Sequence, residues 1–299
     1  IIPLFRKLHF GQSVSHLINE RHLKKEGTPT MGGLIFIIPV IVSLILLYIK
    51  GSISISYNLI IVIFVFIAYG LLGFIDDYLI IKRHNNEGLT EIQKLIGQIL
   101  IAVIFFFIFM KSGRQPVLDI HTLGIKINFG WLYGFFILFV LVASSNAINL
   151  TDGLDGLAGG LSAIAFLSFG IISFGSYWIA GSEEIGIFCF ILVGALLGFL
   201  VYNFNPASIF AGDAGSMLMG FMISVVALFG FKNVTMSSLI IPLFVIAIPI
   251  LDTLFAILRR TIKGEKITKG DKYHIHHQLL NRNLSQRATV IIIYIMVST

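Results

Sequence analysis

Carboxylate and amide side chains recur every three residues in the stretch NAINLTDGLDGLAGG at residues 146–160. Asn149, Asp152 and Asp155 lie between two apolar runs, and no Lys or Arg occurs within twenty residues of either aspartate. Residues three apart in a helix lie within an arc of roughly 120°, and ionisable groups at a membrane boundary need a partner. The stretch predicts a site for a divalent cation or a polar ligand. A glycine-rich turn with solvated carboxylates is the plainer alternative.

Two further aspartate motifs occur in the same kind of place. Asp76 and Asp77 lie inside the end of an apolar run, in GLLGFIDDY, and adjacent carboxylates repel each other unless a cation lies between them. Asp213 lies among small residues in NPASIFAGDAGS. Magnesium is typically held by one or two carboxylates, while substrate phosphates and water complete its octahedron. The three aspartates therefore predict a hard-cation site, with a helix end that carries two solvated acids as the alternative.

The elements that must position these groups are membrane helices. Of the 299 residues, 57% are hydrophobic and 12% are charged, whereas about 25% are charged in a typical soluble domain. Most of the apolar runs suit the roughly 20 residues that span hydrocarbon. They fall at residues 31–49, 58–81, 92–110, 131–148, 157–180, 185–202, 216–231, 234–258 and 288–297. We predict an all-α polytopic membrane protein with a single domain over residues 1–299, and a small β-hairpin within residues 113–130.

Basic residues are distributed unequally between the two sides of the membrane. Alternating the spans puts 16 of the 21 Lys and Arg residues on one side and five on the other. Cytoplasmic loops carry the excess of basic residues, so the first side is predicted to be cytoplasmic. The aspartates named above fall on that side. The net charge of +6 follows from this bias, and we predict no binding of nucleic acid.

Three other segments on the same side could contact a substrate. KKEGTPTMGG contains Lys25 and Thr30, and its proline and glycines allow a ligand to approach closely, although Lys25 as a membrane-edge anchor is the alternative. Phe210 offers an aromatic face three residues before Asp213, with ordinary packing as the alternative. The basic loop of residues 259–287 contains three histidines among lysines, which suit a phosphate better than zinc because no cysteine accompanies them. These histidines are His274, His276 and His277.

Taken together, the motifs resemble those of the polyprenyl-phosphate N-acetylhexosamine-1-phosphate transferases over nearly the whole chain. KKEGTPTMGG, GLLGFIDDY, GLTEIQKLIGQ, SNAINLTDGLDGLAGG and NPASIFAGDAGS are similar to that family's motifs and occur in its order. The resemblance implies about ten transmembrane helices, the first incomplete in this sequence, around a cytoplasm-facing cleft in the bacterial cytoplasmic (inner) membrane. It also implies transfer of a phospho-sugar from a UDP-sugar nucleotide to undecaprenyl phosphate with Mg²⁺, releasing UMP.

The resemblance also implies roles for individual residues. Asp213 becomes the magnesium ligand, while Asp76 and Asp77 lie at the lipid phosphate, with Asp76 as the candidate base. Phe210 stacks on uracil in a nucleoside and phosphate pocket that also contains Lys25, Asn203 and Asp155. Polar residues lining the same cleft are Asn149, Asp152, Thr30 and Lys94. From the basic loop we assign His276 and His277 to turnover and His274 to substrate binding.

Two departures leave the sugar open. The front half resembles the branch that uses UDP-N-acetylmuramoyl-pentapeptide, and we expect that donor. HIHHQLL, GFKNV and DTLFAILRR instead resemble the N-acetylglucosamine-1-phosphate transferases of teichoic-acid and O-antigen synthesis, and Ile80 stands where a lysine is common. An ion-coupled transporter is an alternative of a different class, disfavoured because the acids cluster at one membrane face. The oligomeric state stays open, with a homodimer as one alternative.

Overall fold

The computed structural model describes residues 28–83, 88–113, 116–120, 125–174, 183–230, 258–259, 261–262, 278–280, 282 and 284–298. The helices of this part are named here in chain order. They are α1 (Gly33–Ile49), α2 (Tyr57–Arg83), α3 (Glu91–Lys111), α4 (Leu132–Thr151), α5 (Leu157–Ser173), α6 (Glu183–Asn203), α7 (Asp213–Gly230) and α8 (Gln286–Ser298).

The helix bounds confirm the apolar runs from which they were predicted. Helices α2, α3, α4 and α6 are long and apolar enough to cross a membrane, and α1, α5, α7 and α8 are shorter apolar helices. The chain is therefore a mainly helical membrane protein. The expected run at 234–258 lies almost wholly outside the described residues, so a total of about ten spans stays a prediction.

A short β-hairpin joins α3 to α4, as the alternating pattern predicts. Strand β1 (Val117–Ile120) pairs with β2 (Ile125–Asn128) in antiparallel register, with Val117 opposite Asn128 and Ile120 opposite Ile125.

Helix α7 is the centre of the fold. Every residue from Ala214 to Phe229 is buried, and the helix packs against α1, α2, α4 and α5. A helix that is apolar around its whole circumference is typical of a fully buried one. Helices α5 and α6 pair extensively beside it, and α8 packs on α5. The short length of α7 fits this position, because protein rather than lipid surrounds it.

Glycines let the neighbouring helices approach α7 closely. A Cβ atom on Gly73 of α2 would lie 2.4 Å from Ala214 Cα, and one on Gly33 of α1 would lie 2.6 Å from Gly215 N. Small residues are typical of helix interfaces in membranes, where van der Waals packing rather than the hydrophobic effect drives association. The backbone of α2 therefore lies against the first turn of α7, which brings the aspartates of the two helices together.

The substitution Gly73→Ala tests this contact. We expect it to destabilise the protein by about 1–3 kcal/mol, because the added methyl overlaps the α7 backbone and neither helix can yield cheaply. Thermal unfolding in detergent measures the change. Gly194→Ala on α6 is the matched control, since a Cβ there meets nothing within 4 Å and alanine favours a helix by about 1 kcal/mol. Equal melting temperatures for the two variants would contradict the close contact.

Candidate active site

Asp77 caps the buried start of α7. The residue is 2% exposed, and its Oδ1 and Oδ2 atoms accept hydrogen bonds from Asp213 N and Ala214 N, each at 3.1 Å. The first N–H groups of a helix have no partner within the helix, and the positive end of its dipole attracts an anion. A side chain of α2 therefore satisfies the first two amides of α7 and fixes where Asp213 lies.

Lys94 links the other two aspartates. Its Nζ atom lies 2.9 Å from Asp76 Oδ2 and 2.5 Å from Asp213 Oδ2. Asp76 Oδ1 also accepts a hydrogen bond from Leu89 N at 2.6 Å, just before α3 begins. A capping box between Thr90 and Gln93 defines that beginning, which sets the first turn of α3, and with it Lys94, between α2 and α7.

The cluster carries excess negative charge. Among the described side chains, Asp76, Asp77 and Asp213 carry three formal negative charges at this helix end, whereas Lys94, which contacts Asp76 and Asp213, carries one positive charge. The Asp213 side chain is 20% exposed, against 1% for Asp76, so Asp213 is the more open of the two to a ligand.

The donor set fits a magnesium ion that is shared with a substrate. In the described part of the chain, no three acidic, histidine or cysteine side chains are arranged to hold a metal by themselves. Magnesium needs only one or two carboxylates when substrate phosphates supply its other ligands, and the excess of formal negative charge favours binding of a cation. The magnesium site stays a prediction, with Asp213 as its ligand.

Thr30 and Asn149 lie beside the same helix end. A Cβ on Gly212 would lie 2.3 Å from Asp77 Oδ2 and 2.8 Å from Thr30 Oγ1, so both side chains adjoin that glycine. The Asn149 side-chain amide oxygen lies 2.8 Å from the Oγ of Ser216, one turn into α7. The first turn of α7 thus gathers the predicted residues Thr30, Asp76, Asp77, Lys94, Asn149 and Asp213.

The entry to α1 is tied to the loop that carries Phe210. Gly32 N donates to Phe210 O at 2.8 Å, Gly33 N donates to Ala211 O at 2.8 Å, and Phe210 N donates to Pro29 O at 2.9 Å. Met31 between them is buried with φ of 67°, a conformation that non-glycine residues adopt mainly at constrained or functional sites. The TPTMGG motif therefore fixes the Phe210 loop through its backbone.

Asp155 and Asn203 use their side chains to hold loops. Asn203 Oδ1 accepts from Gly156 N at 3.0 Å, and its Nδ2 donates to Ile209 O at 2.9 Å. Asp155 Oδ2 accepts from Asn205 Nδ2 at 2.9 Å and from Ala207 N at 3.3 Å. Both side chains are buried. In this structure they join the loop after α4 to the loop before α7, while their predicted contacts with a nucleotide stay a prediction.

Of the remaining predicted residues, the structure describes Asp152 and Phe210, and the others lie outside the described part. Asp152 is the residue after the end of α4, and its backbone N–H donates to Ile148 O at 3.1 Å. Phe210 is half-buried three residues before Asp213, and its stacking on uracil stays a prediction. Outside the described residues lie Lys25, His274, His276 and His277.

Sequence reasoning missed four residues that support these loops. Asn205 is the first residue of the NPASIFAGDAGS motif, but from the sequence alone we assigned roles only to Phe210 and Asp213 of that motif. Gln286, Arg287 and Tyr294 belong to α8, where a single apolar run gives no signal that one face contacts polar loops. The contacts of this group are long-range, between residues up to 138 positions apart.

The fold and the site define a class of protein. The chain is a helical membrane protein whose buried central helix begins at a cluster of carboxylates, a lysine and amides. The described acids of this cluster converge on one helix end. An ion pathway of a transporter would instead be expected to extend through the membrane.

Comparison with known proteins gives the family. A model described as "Glycosyl transferase family 4" matches residues 59–231, and a phospho-N-acetylmuramoyl-pentapeptide-transferase signature matches residues 25–37. The chain belongs to glycosyl transferase family 4, and its resemblance to the phospho-sugar transferases is confirmed.

Three relatives, each named phospho-N-acetylmuramoyl-pentapeptide-transferase, show how far the similarity extends. The protein of Bacillus subtilis strain 168 is 40% identical over 94% of this chain and 84% of its own length. Those of Staphylococcus carnosus and Geobacillus sp. strain WCH70 are 41% and 39% identical, over 95% and 93% of this chain and 86% and 84% of their own lengths. The similarity therefore includes much of the back half of the chain, which had resembled the other branch.

Charge balance in the cluster can be tested with Lys94→Met. We expect this variant to lose about 1–3 kcal/mol of stability, because the buried Asp76 loses its cationic partner; the partial exposure of Lys94 places the loss below that of a fully buried pair. Thermal unfolding in detergent measures it. Asp76→Asn in the same chain should restore part of the loss, since the amide oxygen still accepts from Leu89 N. Additive losses in the double variant would contradict the ion pair.

Proposed function

We propose that the protein transfers phospho-N-acetylmuramoyl-pentapeptide from UDP-N-acetylmuramoyl-pentapeptide to undecaprenyl phosphate, giving lipid I and UMP for peptidoglycan synthesis. The observation that carries this proposal is the similarity of about 40% over more than nine-tenths of the chain to transferases of that name. The signature at residues 25–37 favours the muramoyl-pentapeptide donor over N-acetylglucosamine.

The proposed reaction takes place at the cytoplasmic face of the membrane. The excess of basic residues in the predicted loops supports a cytoplasmic position for the site, where a soluble UDP-sugar is available. About ten transmembrane helices in the bacterial cytoplasmic membrane would bring the lipid substrate to the same place. The apolar helices of the described part support this arrangement.

The reaction exchanges one phosphoanhydride bond for another. An oxygen of undecaprenyl phosphate forms a bond to the phosphorus that carries the sugar, and the bond from that phosphorus to the oxygen of UMP breaks. A phosphate monoester is a charged nucleophile that needs little activation, so positioning and charge neutralisation supply most of the catalysis. The electron pair of the broken bond leaves with UMP.

Asp213 would hold the magnesium ion. When bound, the ion neutralises charge on the diphosphate and on the departing UMP. Asp213 is suited to this task because its carboxylate is partly exposed, while its backbone is fixed by Asp77. Thr30 and Asn149 adjoin the same turn and could orient phosphate oxygens.

Lys94 would stabilise the negative charge of the reacting phosphate groups. Its ammonium lies between two carboxylates, and the Lys94 side chain is 26% exposed, so it could contact an incoming phosphate without leaving Asp76. Asp76 would act chiefly by holding Lys94, because both of its oxygens are engaged and its side chain is 1% exposed. Its role as a base stays a prediction.

The direct test offers two donors in parallel. Purified protein with undecaprenyl phosphate and magnesium should release UMP from UDP-N-acetylmuramoyl-pentapeptide at least tenfold faster than from UDP-N-acetylglucosamine, a difference of about 1.4 kcal/mol in transition-state stabilisation. Chromatography of the nucleotide and lipid products measures both rates. Turnover of UDP-N-acetylglucosamine alone would select the other branch of the family. Uptake into vesicles without release of UMP would support a transporter.

A further inference from the structure

The last described helix, α8, makes polar contacts with both loops of the site. Arg287 Nε donates to Asn205 O at 2.7 Å, and Gln286 Oε1 accepts from Asn205 Nδ2 at 3.0 Å. Two turns further along, the Tyr294 hydroxyl donates a hydrogen bond to Gly156 O. The first two contacts hold the loop before α7, and the third holds the loop after α4.

Asn205 anchors the loop before α7 through its side chain and its backbone. One Nδ2 hydrogen is directed to Asp155 Oδ2 and the other to Gln286 Oε1, at 2.9 and 3.0 Å, while its backbone oxygen accepts from Arg287. Every donor of the Asn205 side chain is therefore used. A hydrogen bond that leaves a buried partner unsatisfied when broken costs more than the net stability of the bond, so the loop resists movement at this position.

The Gly156 peptide is held from both sides. Its N–H donates to Asn203 Oδ1 at 3.0 Å, and its carbonyl accepts from Tyr294. Gly156 has φ of 85°, a left-handed conformation that favours glycine. Gly160 makes room for the tyrosine, because a Cβ there would lie 1.9 Å from the hydroxyl oxygen. The approach of Tyr294 to this loop therefore depends on the glycines of the LDGLAGG segment.

The two loops are tied to the site residues by backbone contacts. Asn203 Nδ2 donates to Ile209 O at 2.9 Å, immediately before Phe210, and Phe210 is bound on both sides to the entry of α1. Asp213 follows three residues later at the start of α7. A displacement of Asn203 or Asn205 would therefore be passed along a short, hydrogen-bonded segment to the aromatic ring and the carboxylate.

We propose that Gln286, Arg287 and Tyr294 are positioning residues: the first two set the loop of residues 204–212, Tyr294 sets the loop of residues 152–156, and the two loops together place the groups that bind the nucleotide. This inference rests on the proposed function, because the nucleotide is its substrate. None of the three residues needs to touch the reacting atoms. Helix α8 is accordingly part of the site and not only a helix of the membrane domain.

Tyr294→Phe tests the proposal, since it removes one hydroxyl and keeps the ring. We expect KM for UDP-N-acetylmuramoyl-pentapeptide to rise about fivefold, the equivalent of one hydrogen bond at about 1 kcal/mol, while KM for undecaprenyl phosphate stays unchanged. A purely structural role would lower the amount of folded enzyme, and hence kcat, without changing either KM. Gln286→Leu should act in the same direction. Tyr48→Phe, at an exposed tyrosine of α1, is the matched control.

Hydrogen–deuterium exchange without substrate separates the inference from the proposed function. Amides of residues 153–157 and 203–212 should exchange faster in Tyr294→Phe than in the wild type or in Tyr48→Phe. Unchanged exchange, or unchanged KM for the nucleotide together with faster exchange, would overturn the positioning role. If the wild type releases no UMP from this donor, the proposed function fails, and the exchange comparison then decides whether α8 holds the loops.

Discussion

The burial of the start of α7 is the constraint on which the site depends. A helix surrounded by protein on all sides cannot leave its first amides to water, and in this molecule the carboxylate of Asp77 accepts from two of them. An unsatisfied amide in an apolar environment costs several kcal/mol. The same contact requires α2 to lie against α7, which Gly73 permits. The cap thus positions Asp213 at a defined place beside Asp76 and Lys94.

Because a carboxylate, that of Asp77, caps α7, negative charge accumulates at the start of this helix. Three aspartates meet at one helix end, and among the described residues Lys94 is the cation that contacts two of them. Ionisable groups inside membrane proteins are costly, and such groups usually mark a functional site. The excess charge is consistent with the proposed use of a divalent cation, which would offset part of that charge in the free enzyme and would then also bind the phosphates of the substrate. Stability and the proposed catalysis therefore depend on the same few carboxylates.

Hydropathy predicted the helices well because each apolar run is a local property. The run expected at 58–81 became α2 at residues 57–83, and the run at 92–110 became α3 at residues 91–111. Hydropathy alone did not distinguish α7, which is buried in protein, from helices that face lipid. Helix α7 differs from the lipid-facing helices in that other helices surround it. In the sequence, only the small residues along α7 indicated such close packing.

The site was predicted from motifs, and its internal bonding was not. The sequence brought Asp76, Asp77 and Asp213 together because all three fell on one side of the membrane. It could not assign Asp77 to the amides of α7, or Asn203 to Gly156 and Ile209, since partners far apart in the chain are set by packing. The left-handed Met31 was also missed, because nothing in its own side chain indicates that conformation. Two residues predicted to contact a substrate, Asp77 and Asn203, make hydrogen bonds to the backbone in this structure, and their contacts with a substrate stay a prediction.

We propose that the start of α7 holds one divalent-cation site, with the partly exposed carboxylate of Asp213 as its ligand. Titration of purified protein with Mn²⁺, followed by the electron paramagnetic resonance of the free ion, tests it most directly. We predict one site per chain in the wild type that Mg²⁺ displaces, its retention in the exposed-carboxylate control Glu183→Gln, and its loss in Asp213→Asn, because an amide lacks the charge that holds a hard cation. If Asp213→Asn binds Mn²⁺ as tightly as the wild type does, Asp213 is not a ligand of the cation.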